Sequence, residues 1–237
     1  MAPVLTLLDG VRWRGARVVG DRARTLLAVL VLHGRAGAGH ERLVEELWPD
    51  EPPANPVKAL QVVVSRTRAA TAADVVLRTE RGYRLGLTAE QVDALLLGVL
   101  VERARVALAA DDVAGARRLA EEAMGLVTGG PQAAGTCGVE AAAGGAGLRE
   151  GLGALGELRA VAAGRLAEAR RLVAVARSRS GDHEGALPLL EEAAAGRPRD
   201  EELLACLLRS EAAVRGVASA LERPASAPGT ATGAGPP

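Results

Sequence analysis

Five side chains are spaced to share one face of a helix. In the segment 55–87, NPVKALQVVVSRTRAATAADVVLRTERGYRLGL, they are Lys58, Gln61, Val62, Ser65 and Arg66, with Arg68 on the flank. Opposite them Leu60, Val64, Thr67 and Thr71, with Val63 beside them, form a mostly apolar stripe. The period then changes. VVLRT and YRLGL are short runs rich in β-branched or large residues, separated by Glu80, Arg81 and Gly82, which predicts a hairpin carrying Thr79, Arg81 and Arg84. Outward cations and amides can donate to base edges and phosphates, and an exposed valine can meet a thymine methyl. The pattern therefore suits a DNA duplex, with the helix in a major groove and the hairpin on the adjacent backbone or minor groove. Arg66 leads as the base or phosphate contact. Arg81 and Arg84 suit phosphates, Arg81 also the minor groove, and Thr79 can donate to a phosphate. The competing reading of Lys58, Arg66 and Arg68 is a solvated helix face.

The elements before this segment must hold it. Runs 4–8, 11–13 and 17–19 are short extended candidates broken by Asp9-Gly10 and Arg14-Gly15, dipeptides that favour tight hairpins. Asp21 is the expected N-cap of a nearly all-apolar helix, 22–33, which Gly34 and Gly37 end. A second helix, 41–48, pairs Leu43 with Leu47 and Val44 with Trp48, which places Trp48 in the core. Pro49, Pro52, Pro53 and Pro56 then impose a loop, PDEPPANP, with Asp50 and Glu51 at an acidic tip.

Beyond residue 88 the strand pattern stops. Helices are expected over 92–109 and 113–127, and a motif recurs: 112–123 and 182–193 share D-x-x-G-A-x-x-L-x-E-E-A. The displacement is about twice a 34-residue tetratricopeptide period. Gly115/Gly185 and Ala116/Ala186 are expected to let neighbouring helices approach closely. Pro198 falls where such a helix ends, and 201–214 supplies the next. The stretch 128–147 is Gly/Ala-rich and is expected to be a mobile loop, and 223–237 a disordered tail.

Composition agrees with helix-on-helix packing: 49% hydrophobic residues, 1% aromatics and no Phe leave cores of Leu, Val and Ala. Net charge is zero, but its distribution is uneven. Residues 1–88 hold 13 Lys and Arg against 9 Asp and Glu, and residues 89–237 hold 16 against 20. Within 56–84, Lys58, Arg66, Arg68, Arg78, Arg81 and Arg84 face only Asp74 and Glu80. Cys137 and Cys206 make no disulfide framework or metal-ligand spacing. The N-terminus has no signal-peptide pattern, and the longest apolar run, 26–32, is too short to cross a bilayer, so a cytoplasmic protein with no membrane partner is expected. His33, His40 and His183, the paired Glu121/Glu122 and Glu191/Glu192, and the two cysteines assemble into no catalytic constellation. No G-x-x-x-x-G-K-[ST] occurs, and neither catalysis, metal nor cofactor is expected.

ALQVVVSRTR followed by LRTERGYRL, preceded by DRARTLLAVLVLHG and LVEELWPDEPPANPVKAL, resembles the winged-helix DNA-binding domain of the Streptomyces antibiotic regulatory protein (SARP) family. The resemblance covers about 4–87 and continues more weakly to about 222, where it is similar to that family's bacterial transcriptional activator domain. It implies a mainly α fold with a small β component. An OmpR-like winged helix, with a small N-terminal antiparallel sheet, would span 1–88, an all-α tetratricopeptide-like domain 89–222, and a tail 223–237. It implies a sequence-specific activator that reads promoter repeats in double-stranded DNA, touches RNA polymerase through the Asp50/Glu51 loop, associates with the nucleoid, and dimerises or meets partners through its repeats. Thr67 stands where the family has Leu, a loss of burial on the order of 1–2 kcal/mol. The aromatics the family carries near 128–147 are missing. The alternative is a helical-repeat interaction scaffold with a vestigial winged helix.

Overall fold

The computed structural model describes residues 2–128 and 153–217. They divide into two compact units, one within 1–103 and 119–169, the other within 104–118 and 170–237. The Gly/Ala-rich stretch after Thr128 and the tail from 223 lie outside the described residues. The fold is mainly α with two small sheets.

In the first unit β1 (Leu5–Thr6), β2 (Arg12–Trp13) and β3 (Ala16–Arg17) form an antiparallel meander. Arg14 and Gly15 both have positive φ, 48° and 84°, as a two-residue turn between right-twisted strands requires. Helices α1 (Asp21–His33), α2 (His40–Leu47) and α3 (Pro56–Ala70) follow. The near-continuous apolar run of α1 makes it the buried centre: 23 and 26–31 are all buried, and α2, α3 and the second sheet pack on it. Asp21 is the first residue of that helix rather than its cap; Gly20 occupies the cap with no side-chain bond, and Asp21 instead pairs with Arg24 one turn on.

The second sheet runs β4 (Ala38–Gly39), β6 (Gly82–Leu85), β5 (Val76–Arg78). Strand β4 has no signal in the sequence, because two small residues carry no alternation. Its pairing demands close backbone approach: a Cβ on Gly82 would lie 2.0 Å from the Ala38 carbonyl oxygen. Val75, Val76, Tyr83 and Leu85 from this sheet join Leu26, Leu27, Leu30, Leu43 and Leu60 in one core. Trp48 packs at its margin under the Arg22 guanidinium, 5.2 Å from the ring centre.

Asp93, at the start of α4 (Asp93–Ala109), is buried and stitches this unit together. Its carboxylate accepts from the Leu7 amide at 2.9 and 3.0 Å, from Leu8 at 3.1 Å and from Ala94 at 2.7 Å. Burial pushes its pKa above the ordinary aspartate value against the pull of those amides. Helix α5 is Val113–Thr128, and the 26-residue α6 (Ala154–Arg179) begins with Ala154, Leu155 and Leu158 in the same core as the winged helix.

In the second unit the repeated D-x-x-G-A acquires a physical meaning. Asp112 caps α5 by accepting from the Gly115 amide at 2.8 Å, and Asp182 caps α7 (His183–Gly196) by accepting from Gly185 at 3.1 Å. A Cβ on Gly115 would lie 2.0 Å from the Asp112 carboxylate, and one on Gly185 2.7 Å from Asp182. The glycines therefore chiefly make room for the cap. The fully buried Ala116 and Ala186 are the close-packing positions. Asp200 repeats the device at Leu203 in α8 (Glu201–Arg215), which packs on α7.

Candidate nucleic-acid interface

Helix α3 begins where Asn55 accepts from the Lys58 amide at 3.0 Å and Pro56 supplies the first helical residue, a pairing that fixes its entry. Leu60, Val63, Val64 and Thr67 face inward. Thr67 is fully buried and its hydroxyl donates to the Val63 carbonyl at 2.8 Å, so the polar atom in the apolar stripe is satisfied within the helix. The outward face then follows from the helical period: Lys58, Gln61, Val62, Ser65 and Arg66 are all exposed.

Arg68 departs from that set. It is half-buried, and its Nε and Nη2 both donate to the Val76 carbonyl, at 2.9 and 2.6 Å. A fork turned onto one acceptor holds the end of α3 to the start of the hairpin. Arg68 thus serves the geometry of the site.

The hairpin joins Arg78 to Tyr83 across the register, leaving Glu80 and Arg81 as its two-residue tip. Thr79 closes that tip: its amide donates to the Gly82 carbonyl at 2.9 Å and its hydroxyl accepts from the Gly82 amide at 3.0 Å. The hydroxyl proton stays available to a phosphate. Arg81 is exposed. Arg84 is half-buried, with Nη1 3.3 Å from the Leu85 carbonyl oxygen. Arg78, outside the residues singled out from the sequence, is exposed at the end of β5. Its position beside the tip depends on the register, which sequence does not give.

The Lys58, Arg66, Arg78 and Arg81 side chains hold no ion pair among the described residues. They form a cationic surface on one helix face and one hairpin. Asp50 and Glu51 are exposed in the loop between α2 and α3. At the base of the hairpin His40 meets Tyr83 edge-on, ring centres 5.7 Å apart. His183 belongs to a hydrogen-bonded chain, Nδ1 lying 3.1 Å from the Ser210 hydroxyl, which lies 2.9 Å from Ser178. Cys206 is buried in α8. Among the described residues, no group of three His, Cys, Asp or Glu could hold a metal, and no helix is long and apolar enough to cross a membrane.

The architecture is that of proteins that join a winged helix to a helical body. No family model matches the chain. It is similar to the regulatory protein AfsR of Streptomyces griseus, 29% identical over 125 residues, a match spanning 51% of this chain and 13% of that protein. Its fold is similar to that of Mycobacterium tuberculosis EmbR, solved with a low-affinity phosphopeptide, with a TM-score of 0.65 and 22% identity. That match covers 92% of this chain and 56% of EmbR. The chain thus corresponds to a part of each, and the resemblance read from the motifs holds in both sequence and fold.

Proposed function

We propose that the chain is a non-catalytic, sequence-specific DNA-binding transcriptional regulator of the activator type, acting on double-stranded DNA in the cytoplasm. The observation that carries this is the face of Lys58, Gln61, Val62, Ser65 and Arg66 on α3. It is wholly exposed, its cations hold no ion pair among the described residues, and a cationic hairpin follows it in a winged helix. Arg66 contacts a base edge or phosphate, Gln61 and Ser65 add hydrogen bonds, and Val62 meets a thymine methyl. Arg78, Arg81, Arg84 and Thr79 hold backbone phosphates beside the groove, which positions the domain without specifying sequence. The winged helix of 1–88 reads promoter repeats, the repeats of 89–222 mediate dimerisation or partner contact, and Asp50 and Glu51 meet a basic surface of RNA polymerase. Selection of duplexes from a random pool, followed by binding at two salt concentrations, tests the reading. A selected sequence bound with a steep salt dependence supports it. Binding with neither selectivity nor salt dependence would leave the interaction scaffold in its place.

A further inference from the structure

A cavity of about 180 Å3 lies in the first unit, lined by Gly10, Val11, Arg12, Arg17, Arg24, Leu155 and Arg159, none of them from α3. Four of the seven lining residues are arginines and none is acidic. Arg12 and Arg17 stand directly opposite each other on β2 and β3, an antiparallel like-charge pair that costs stability unless an anion lies between its members. Both side chains hold no ion pair or hydrogen bond among the described residues. Arg24 holds Asp21, and Arg24 and Arg159 have further engagements, so the recruiting charge is that of Arg12 and Arg17.

We propose that this cavity is a binding site for a small phosphate-bearing anion. Guanidinium forks match the oxygens of a phosphate two at a time and keep their charge at every physiological pH. Two unpaired guanidinium groups facing each other favour a dianion over a monocarboxylate. The cavity is smaller than the roughly 300–1,000 Å3 of sites for drug-sized ligands, so it takes a free phosphate or the phosphate end of a longer molecule. Its walls come from three elements: the N-terminal sheet, α1 through Arg24, and the head of α6 through Leu155 and Arg159. A bound anion would tie these together, and α1 is the helix on which α3 packs. The proposal stands apart from the DNA-binding reading, because none of its residues belongs to α3 or the hairpin.

The test is titration of the full chain with inorganic phosphate, pyrophosphate and AMP at constant ionic strength, with sodium chloride as control. It is followed by thermal melting and by the fluorescence of Trp13, which lies between Arg12 and Arg14 in the sequence. A saturable response is expected, strongest for pyrophosphate. AMP binding more tightly than phosphate marks a nucleotide as the source; equal binding marks the phosphate group alone. The pair R12Q/R17Q should weaken binding by about tenfold or more while leaving the unliganded melting temperature unchanged or raised, since it removes a repulsion. Arg17→Lys, which keeps the charge and loses the fork, should weaken binding several-fold and covers the case in which the double variant folds poorly. Arg66→Ala should leave the response intact. No saturable response beyond that of chloride, a response that survives both R12Q/R17Q and Arg17→Lys, or one that Arg66→Ala abolishes would overturn the proposal.

Discussion

The arginines of α3 and its hairpin, and those of the helices from α6 to α8, have the same side chain and opposite uses. Among the described residues of the second unit most of them are paired; Arg118, Arg199 and Arg209 are not. Arg171 pairs with Asp200 and Glu202, Arg179 with Asp111 and Glu202, Arg177 and Arg117 lie near Asp182, and Arg215 joins Glu191 to Glu211. All but the Arg215–Glu211 pair, which lies within α8, join a helix to another helix or to the turn that caps one. On α3 and the hairpin, Lys58, Arg66, Arg78 and Arg81 have no acid among the described residues. A net charge of zero conceals this division. Pairing, more than charge count, separates a cation that holds the fold from one that awaits a polyanion.

The largest effect should come from a charge that neither pattern includes. Asp93 has no cation and is held by backbone amides alone, so Asp93→Ala strands the buried Leu7 donor and the half-buried Leu8 donor and should cost about 2–4 kcal/mol in denaturant unfolding. Because burial raises its pKa, the stability tied to its protonated form is fully present below the ordinary aspartate value and is lost as pH rises through the folded value. A cost under 1 kcal/mol would show that the amides find water instead.

Next, Arg66→Ala should weaken binding to a selected duplex by about 1–3 kcal/mol, with stability within about 0.5 kcal/mol of the parent. A stability loss without a binding loss would move Arg66 into the class of structural arginines. The reverse signature is expected for Asp182→Ala, which removes the α7 cap and the carboxylate that Arg117 and Arg177 face. It should cost about 1 kcal/mol of stability and leave binding to DNA unchanged.

Smaller still, replacing Lys58 or Arg81 by Gln should reduce the slope of log K against log salt by about one each, across selected and unselected duplexes alike. Least of all, Arg170→Ala breaks an exposed 3.4 Å pair with Glu192 and should change unfolding by under about 0.5 kcal/mol.

Much of this division was legible in the residues. Asn55-Pro56 announces the start of α3, the period separates Leu60, Val64 and Thr67 from Lys58, Ser65 and Arg66, and the D-x-x-G-A repeat marks two helix starts. What escaped depends on contacts distant in sequence. Arg68 lies close to the outer face by periodicity, and only the proximity of Val76 turns its fork inward. Asp93 looks like an ordinary first-turn acid until Leu7 and Leu8 are brought to it. Helix α6 carries little signal because its apolar positions are largely alanines spread round the helix, and β4 because a two-residue strand at Ala38–Gly39 needs Gly82 opposite it. The like-charged Arg12 and Arg17 are five residues apart, and only the hairpin register sets them face to face.

The most direct test of the outward α3 face is fluorescence anisotropy of a selected duplex with the full chain, its Arg66→Ala variant and, as a charge-matched control, Arg215→Ala. Loss of Arg66 should weaken the selected duplex by about fivefold or more and narrow its preference over a scrambled one, while loss of Arg215 should leave both affinities within about twofold. Equal weakening by the two variants, or none from either, would contradict it.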